Sequence, residues 1–144
     1  MEMNEHETFM AEAIRLATEN VTNGGGPFGA VIVRNGEIVA TGVNRVTPSC
    51  DPTAHAEMIA ITAACSEMGG KYLTDCTLYV TVEPCPMCAA ALAWSQISRV
   101  VYGASDPKRG YSLFSPGLLH PKTLHTGGIL QQECSSLIVD YFRN

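Results

Sequence analysis

The feature that most constrains this chain is a divided motif, Pro52-Thr53-Ala54-His55-Ala56-Glu57 followed downstream by Glu83-Pro84-Cys85-Pro86-Met87-Cys88. It reads His-x-Glu, then Pro-Cys-x-x-Cys. One imidazole and two thiolates make a three-ligand set for zinc, one ion per chain. Three protein ligands leave a fourth position for water, whereas a purely structural zinc site closes with four. Glu57 stands two residues from His55 and outside that set, where a carboxylate can move protons on and off the water. Two plainer readings compete: Cys-x-x-Cys as a redox pair, and a lone histidine as part of a core. A redox pair calls for no upstream His-x-Glu, and it leaves Pro52 and Pro84 unexplained at two separate helix starts.

The rest of the chain sets the frame. With 144 residues, 46% hydrophobic and 16% charged, it is expected to form a single domain spanning 1–144 with a sizeable core. No run of eighteen apolar residues suggests a membrane span. The acidic stretch Met1 to Glu12 lacks the basic-then-apolar pattern of a leader, so the cytoplasm is the default expectation. In that compartment cysteines are thiols or metal ligands rather than disulfides. Cys50, Cys65, Cys76 and Cys134 are read as small buried or half-buried residues, with Cys50 the least settled because it lies in a loop before His55. A net charge of −5, with nine Lys and Arg and one local cluster at Lys108-Arg109, disfavours a polynucleotide partner such as tRNA.

Along the chain, apolar residues at helical spacing between Glu5 and Val21 predict a first amphipathic helix, ended by Asn23-Gly24-Gly25-Gly26-Pro27. Phe28 to Val33 and Ile38 to Thr41 predict an antiparallel hairpin around Asn35-Gly36. The glycine run precedes a strand rather than a helix, so it reads as a tight turn beside a pocket and not as a phosphate loop. Gly42 to Asp51 reads as a loop. Asp51 is then expected to cap a helix whose first residue is Pro52 and which ends at Gly69-Gly70, placing His55 and Glu57 in its first turn. Thr77 to Val82 reads as a strand feeding a second helix, Pro86 to Trp94, with Cys88 one turn in, and Arg99 to Gly103 as a further strand. This alternation indicates a layered α/β sheet. Beyond it come a turn-rich loop from Ser105 to Tyr111, a short helical piece within Ser115 to His120, a short strand in Thr123 to Thr126, and a closing amphipathic helix from Leu130.

Zinc lowers the pKa of bound water from near 16 to about 7. With Glu57 passing the proton to a ring nitrogen, the expected reaction is hydrolytic deamination, in which an amidine-like C–NH2 becomes C=O. Candidate substrate contacts are Phe28 at the strand mouth, Asn44 and Asp106. The Asn44 amide can both donate and accept at a base edge or a ribose hydroxyl, although a turn-forming Asn is the alternative. Trp94 is read as core rather than as a stacking platform, and His120 and His125 as solvated or structural.

On these residues the chain resembles the cytidine-deaminase-like zinc superfamily, whose nucleobase deaminases carry this His-x-Glu and Pro-Cys-x-x-Cys signature. Within it, the likeness is to the branch of tRNA adenosine deaminases, guanine deaminases and fungal-type cytosine deaminases, from Pro27-Phe28-Gly29-Ala30 to the terminal helix. The resemblance implies a three-layer α/β/α sandwich with a five-stranded mixed sheet, usually homodimeric. It also implies zinc on His55, Cys85 and Cys88, Glu57 as proton shuttle, and base contacts from Asn44 and the backbone around Ala56. Gly25-Gly26-Pro27-Phe28-Gly29-Ala30 and Asp51 to Glu57 look like the guanine enzymes. Tyr102-Gly103-Ala104-Ser105-Asp106-Pro107-Lys108 and the ending Gly128 to Arg143 look like the tRNA enzymes. The guanine enzymes use a second carboxylate shortly after the Asp106 loop, and Gly110-Tyr111-Ser112-Leu113-Phe114 offers none. The reading favoured is a purine-type aminobase or nucleoside deaminase of the guanine deaminase kind. Behind it come tRNA adenosine deamination, then a cytosine-type deaminase or a zinc-containing protein that binds a base without converting it.

Overall fold

A computed structural model describes residues 3–114 and 117–143. Helix α1 (Glu5–Thr22) opens the chain. Its start is a reciprocal cap: the Asn4 side chain accepts from the Glu7 amide at 2.8 Å, and the Asn4 amide donates to the Glu7 carboxylate at 3.1 Å. Strands β1 (Gly29–Arg34) and β2 (Glu37–Val43) form the expected hairpin, with Asn35 and Gly36 both at positive φ in its turn. Next come a single-turn helix α2 (Val46–Ser49), helix α3 (Ala56–Met68), strand β3 (Cys76–Val82) and helix α4 (Pro86–Ser95). Strand β4 (Arg99–Ala104), a 3-10 turn at Tyr111–Leu113, the short strand β5 (Leu124–Thr126) and helix α5 (Gln131–Arg143) complete the order.

The five strands lie in the order β2-β1-β3-β4-β5. β1 is antiparallel to both neighbours, while β3, β4 and β5 run parallel, so the sheet is mixed. Alternation along each strand sends side chains to two cores. Ala30, Ile32, Leu78, Val80 and Val100 meet Ala56, Ala60, Ala64, Ala89 and Leu92 of α3 and α4. Val31, Val33, Tyr79 and Val101 meet Met10 and Ala13 of α1 and Cys134 of α5 on the other face. This is the three-layer α/β/α sandwich that the resemblance implied. Gly42 sets the approach of α3 to the sheet: a Cβ there would run into the Ala56 carbonyl and stand 2.7 Å from the Ala60 amide. Because Gly42 has none, the first turn of α3 lies directly on β2.

Several expectations are corrected. Helix α3 begins at Ala56 rather than Pro52. Asp51 Oδ1 accepts from both the amide and the hydroxyl of Thr53, at 2.8 and 2.7 Å, closing a local turn instead of capping the helix. The segment read as loop contains α2. Residues 117–120 form no helix, the 3-10 turn lying earlier, and Ser115 and Pro116 lie outside the described residues. Cys50, at the end of α2, is exposed, unlike Cys65, Cys76 and Cys134. Trp94 is 84% exposed and so belongs to no core of this chain.

Candidate active site

Four chain segments converge at one edge of the sheet: the start of β1, the end of β2, and the carboxyl ends of β3 and β4. β1 runs antiparallel to its neighbours, so its first residues lie beside their last ones, where Gly29 pairs with Val43 and Val82 with Ala104. Clefts at the carboxyl ends of strands are the usual ligand sites of open α/β sheets. Here the cleft is a cavity of about 220 Å3 lined by Phe28, Asn44, His55, Ala56, Glu57, Val80, Val82, Glu83, Cys85, Asp106 and Arg109.

The two halves of the divided motif meet at its floor. His55 is the residue before the first turn of α3, and Cys85 holds the same position on α4, both in extended conformation. Pro86 starts α4 with φ preset and no donor to waste, and Cys88 follows on the same turn. The His55 Nδ1 atom lies 3.7 Å from Cys85 Sγ and 3.5 Å from Cys88 Sγ. Among the described residues this is the one His/Cys/Asp/Glu group whose donor atoms converge, all within 4.8 Å of one another. A tetrahedral ion with bonds of about 2.3 Å to sulfur and 2.0–2.1 Å to nitrogen requires sulfur–nitrogen separations of about 3.6 Å. The donor set and its spacing therefore fit zinc, held through Nδ1.

The electrostatics agree. The Cys85 thiol is lowered to about 5, first by the hydrogen bond from the Cys88 side chain, then by the amides of Cys88 and Met87 and the His55 ring, against an opposing effect of burial. Cys88, the donor of that bond and itself buried, is pushed upward. Cys85 is thus the thiol drawn toward its thiolate form, at the start of a helix where the aligned amides favour negative charge. Glu57 is 7% exposed. Burial raises its carboxyl from 4.5 to about 7, its own amide opposes this, and the charge of Cys85 adds to it. A carboxylic acid titrating near neutrality can take up and release a proton in one catalytic cycle.

Each predicted contact has a definite place. Phe28, Asn44, Ala56 and Asp106 all line the cavity. Asn44 Oδ1 also accepts from the Val46 amide at 3.3 Å, so its turn-forming role and its place in the pocket coexist. Asp106 Oδ1 accepts from the amides of Lys108 and Arg109, at 3.0 and 2.9 Å, and shapes the loop that brings Arg109 to the rim. His125 Nδ1 pairs with the Tyr111 hydroxyl at 3.0 Å, and His120 Nδ1 accepts from the Lys122 amide at 3.1 Å, so neither joins the metal-ligand group.

Glu83 escaped the sequence reading. It is 4% exposed, and its two oxygens accept from the amides of Asp106 at 3.2 Å and Ser112 at 3.0 Å, tying the 105–112 loop to the end of β3. The available signal was a charged residue directly before Pro84-Cys85, at the point where a strand enters the site. Glu83→Leu is expected to destabilise the protein by about 2–3 kcal/mol, because two amides lose a charged acceptor in a buried place. Urea unfolding of the zinc-loaded variant measures it, and an unchanged midpoint would remove the anchoring role.

Three converging donors that fit zinc, beside the buried carboxyl of Glu57, place this α/β/α protein among the zinc-dependent hydrolases. The chain belongs to the cytidine and deoxycytidylate deaminase family, whose zinc-binding region matches residues 3–104. It is 55% identical over 116 residues to the guanine deaminase of Bacillus subtilis (strain 168), covering 80% of this chain and 74% of that one. It is 41% identical over 146 residues to the tRNA-specific adenosine deaminase of the same strain, covering 98% of this chain and 91% of that one. Among solved structures, the guanine deaminase from Nitrosomonas europaea superposes with a TM-score of 0.87 at 27% identity, over 96% of this chain and 85% of its own. The protein is accordingly a zinc-dependent hydrolytic deaminase. Among the described residues, no helix is long and apolar enough to cross a membrane.

Proposed function

We propose that this protein deaminates a free purine aminobase, guanine foremost, with release of ammonia. The observation that carries the reading is the size and lining of the catalytic cavity. At about 220 Å3 it falls below the roughly 300 Å3 at which pockets for drug-sized ligands begin. It suits one flat bicyclic ring against Phe28, with polar groups at one edge. The 55% identity over 116 residues to a guanine deaminase supports the same reading.

In this reading His55, Cys85 and Cys88 hold zinc, which when bound supplies a Lewis acid that makes water acidic near neutral pH. Glu57 accepts a proton from the attacking water and donates it to the ring nitrogen beside the C–NH2 carbon. It then delivers the second proton to the departing amine, so that C–NH2 plus water becomes C=O plus ammonia. Asn44 gives its amide NH2 to a ring or exocyclic acceptor while its Oδ1 stays on the Val46 amide. Ala56, at the start of α3, offers a backbone group at the base edge, and Phe28 stacks or closes the wall. Within the same reading a second copy covers the exposed Trp94 side chain, making a homodimer that sedimentation would detect.

A second reading, adenosine deamination in a tRNA anticodon, is favoured by the 98% coverage of the chain in the match to the tRNA-specific enzyme. Ammonia release from guanine, guanosine, adenine, adenosine and cytosine, run beside inosine formation in an anticodon stem-loop, separates the two. Turnover is expected with guanine and none with the stem-loop. The reverse pattern replaces the first reading with the second.

A further inference from the structure

Helix α1 lies outside the catalytic cavity, yet one of its residues bonds the backbone of a residue that lines it. Met10, Ala13, Ala17 and Asn20 are the buried residues of this helix, and Asn20, 3% exposed, stands in a row otherwise apolar. Its Nδ2 donates to the Gly26 carbonyl at 2.9 Å and to the Asn44 carbonyl at 2.8 Å. Its Oδ1 accepts from Arg45 Nη1 at 3.3 Å, so every hydrogen-bonding group of the amide is directed at one of two loops. The Asn20 backbone carbonyl accepts from the Gly25 amide at 2.9 Å.

These loops carry the two residues that face the base in the proposed function. The Gly26 carbonyl that Asn20 grips also accepts from the Phe28 amide at 2.9 Å, and the Phe28 carbonyl accepts from the Asn44 amide at 3.2 Å. Gly26, Phe28, Asn44 and Asn20 thus close a ring of hydrogen bonds around the entrance of β1 and the exit of β2. We infer that Asn20 is a positioning residue, which sets the distance between Phe28 and Asn44 and so the fit of the base between them.

The chemistry is specific to an amide. Two buried carbonyls a short distance apart need two N–H donors on one planar group, and a cation there would have to be desolvated. The space is equally specific. A Cβ on Gly25 would strike Asn20 Nδ2 and stand 2.6 Å from the Asn44 carbonyl, which is why the chain narrows to glycine beside the clamp. The glycine run, which matches no phosphate-binding pattern, lets a helix side chain bond the backbone of both loops.

The inference rests on the purine reading only for the identity of the base, and the test keeps the two apart. Asn20→Leu keeps the branched shape, with bulkier ends, and removes the hydrogen bonds, whereas Asn20→Ala removes both. In the zinc-loaded enzyme both variants are expected to raise KM for guanine about tenfold, with kcat within about threefold, for the loss of the three side-chain hydrogen bonds of Asn20. Zinc content should stay at one per chain. Amide hydrogen exchange should quicken at residues 24–28 and 43–46 and not in α3. If Asn20→Leu keeps the wild-type KM and exchange, Asn20 only fills space and the inference is overturned. A fall in thermal stability with no change in KM overturns it equally. Should the wild type turn over another base of the panel instead, the purine-base reading fails while KM for that base and the exchange pattern still decide the role of Asn20. If neither variant folds, the wild-type side-chain amide decides by NMR. Slow exchange of the Asn20 Nδ2 protons, and a shift when guanine binds, are expected; exchange as fast as in an exposed asparagine overturns the inference.

Discussion

Glu57→Gln is expected to retain one zinc per chain and to lose deaminase turnover by about a thousandfold or more. Proton transfer by a positioned side chain contributes on the order of a hundred- to ten-thousandfold, and here one group serves both the attack of water and the departure of the amine. The substituted amide has nearly the same shape as the carboxyl, and it leaves the His55, Cys85 and Cys88 donor atoms unchanged. Steady-state kinetics with metal analysis on one sample checks it, and a variant with full zinc and full activity would refute the proton-shuttle role.

The same substitution has a signature in stability. The Glu57 carboxyl titrates at about 7 in the metal-free fold, raised from 4.5 chiefly by burial, with its own amide opposing and the Cys85 charge adding. Its folded pKa lies above its unfolded one, so the native state holds the proton more tightly. The stability linked to that proton is present in full below about pH 4.5 and is lost as pH rises through about 7. At 1.36 kcal/mol per unit the loss approaches about 3 kcal/mol. A side-chain amide at this position bears no charge at any pH. Metal-free Glu57→Gln is therefore expected to be more stable than the metal-free parent at pH 8, by up to about 3 kcal/mol, and equal to it near pH 4. Denaturant melts at the two pH values measure the difference, and its absence would mean that Glu57 is solvated in the metal-free fold.

Cys88→Ser is expected to abolish stoichiometric zinc binding and activity together. A serine hydroxyl does not ionise at neutral pH, so only His55 and Cys85 remain as donors, and two donors do not hold zinc against buffer. Among the described residues, His55, Cys85 and Cys88 are the one group of converging donors, so loss of Cys88 leaves two of the three. Removing zinc from the parent by chelation should reproduce the loss, and adding zinc back should reverse it in the parent only. Zinc present at about a thousand times its dissociation constant adds about 4 kcal/mol to the native state. The parent should therefore lose thermal stability on chelation, while the variant should not respond. A Cys88→Ser protein that keeps one zinc and its activity would break the assignment of the three ligands.

The parts of the protein that were legible in the sequence are those written in short-range chemistry. Asn35-Gly36 demands positive φ at two successive residues and so specifies the hairpin, and Pro86 followed by small and apolar residues specifies the start of α4. The His-x-Glu and Pro-Cys-x-x-Cys pair names its own ligands because their types and spacing suit zinc. Local signals misled where two local structures competed. Asp51 satisfies Thr53 rather than a helix end, so α3 starts at Ala56 and His55 becomes its cap. Trp94 lies outward because the inward positions of α4 belong to Ala89 and Leu92, a choice that depends on which side the sheet occupies.

What only the tertiary structure decided is the wall of the site. No periodicity announces that Asn20 of α1 meets Gly26 and Asn44, or that Glu83 gathers the amides of Asp106 and Ser112. A buried polar side chain in a sequence shows that it must find partners, but the partners are backbone groups that every residue carries alike. Residue types pointed to the metal and to a proton carrier. The sheet order, which sets the start of β1 beside the ends of β2 and β3, settled which residues frame the cavity, because that framing depends on three-dimensional neighbours that no local pattern encodes.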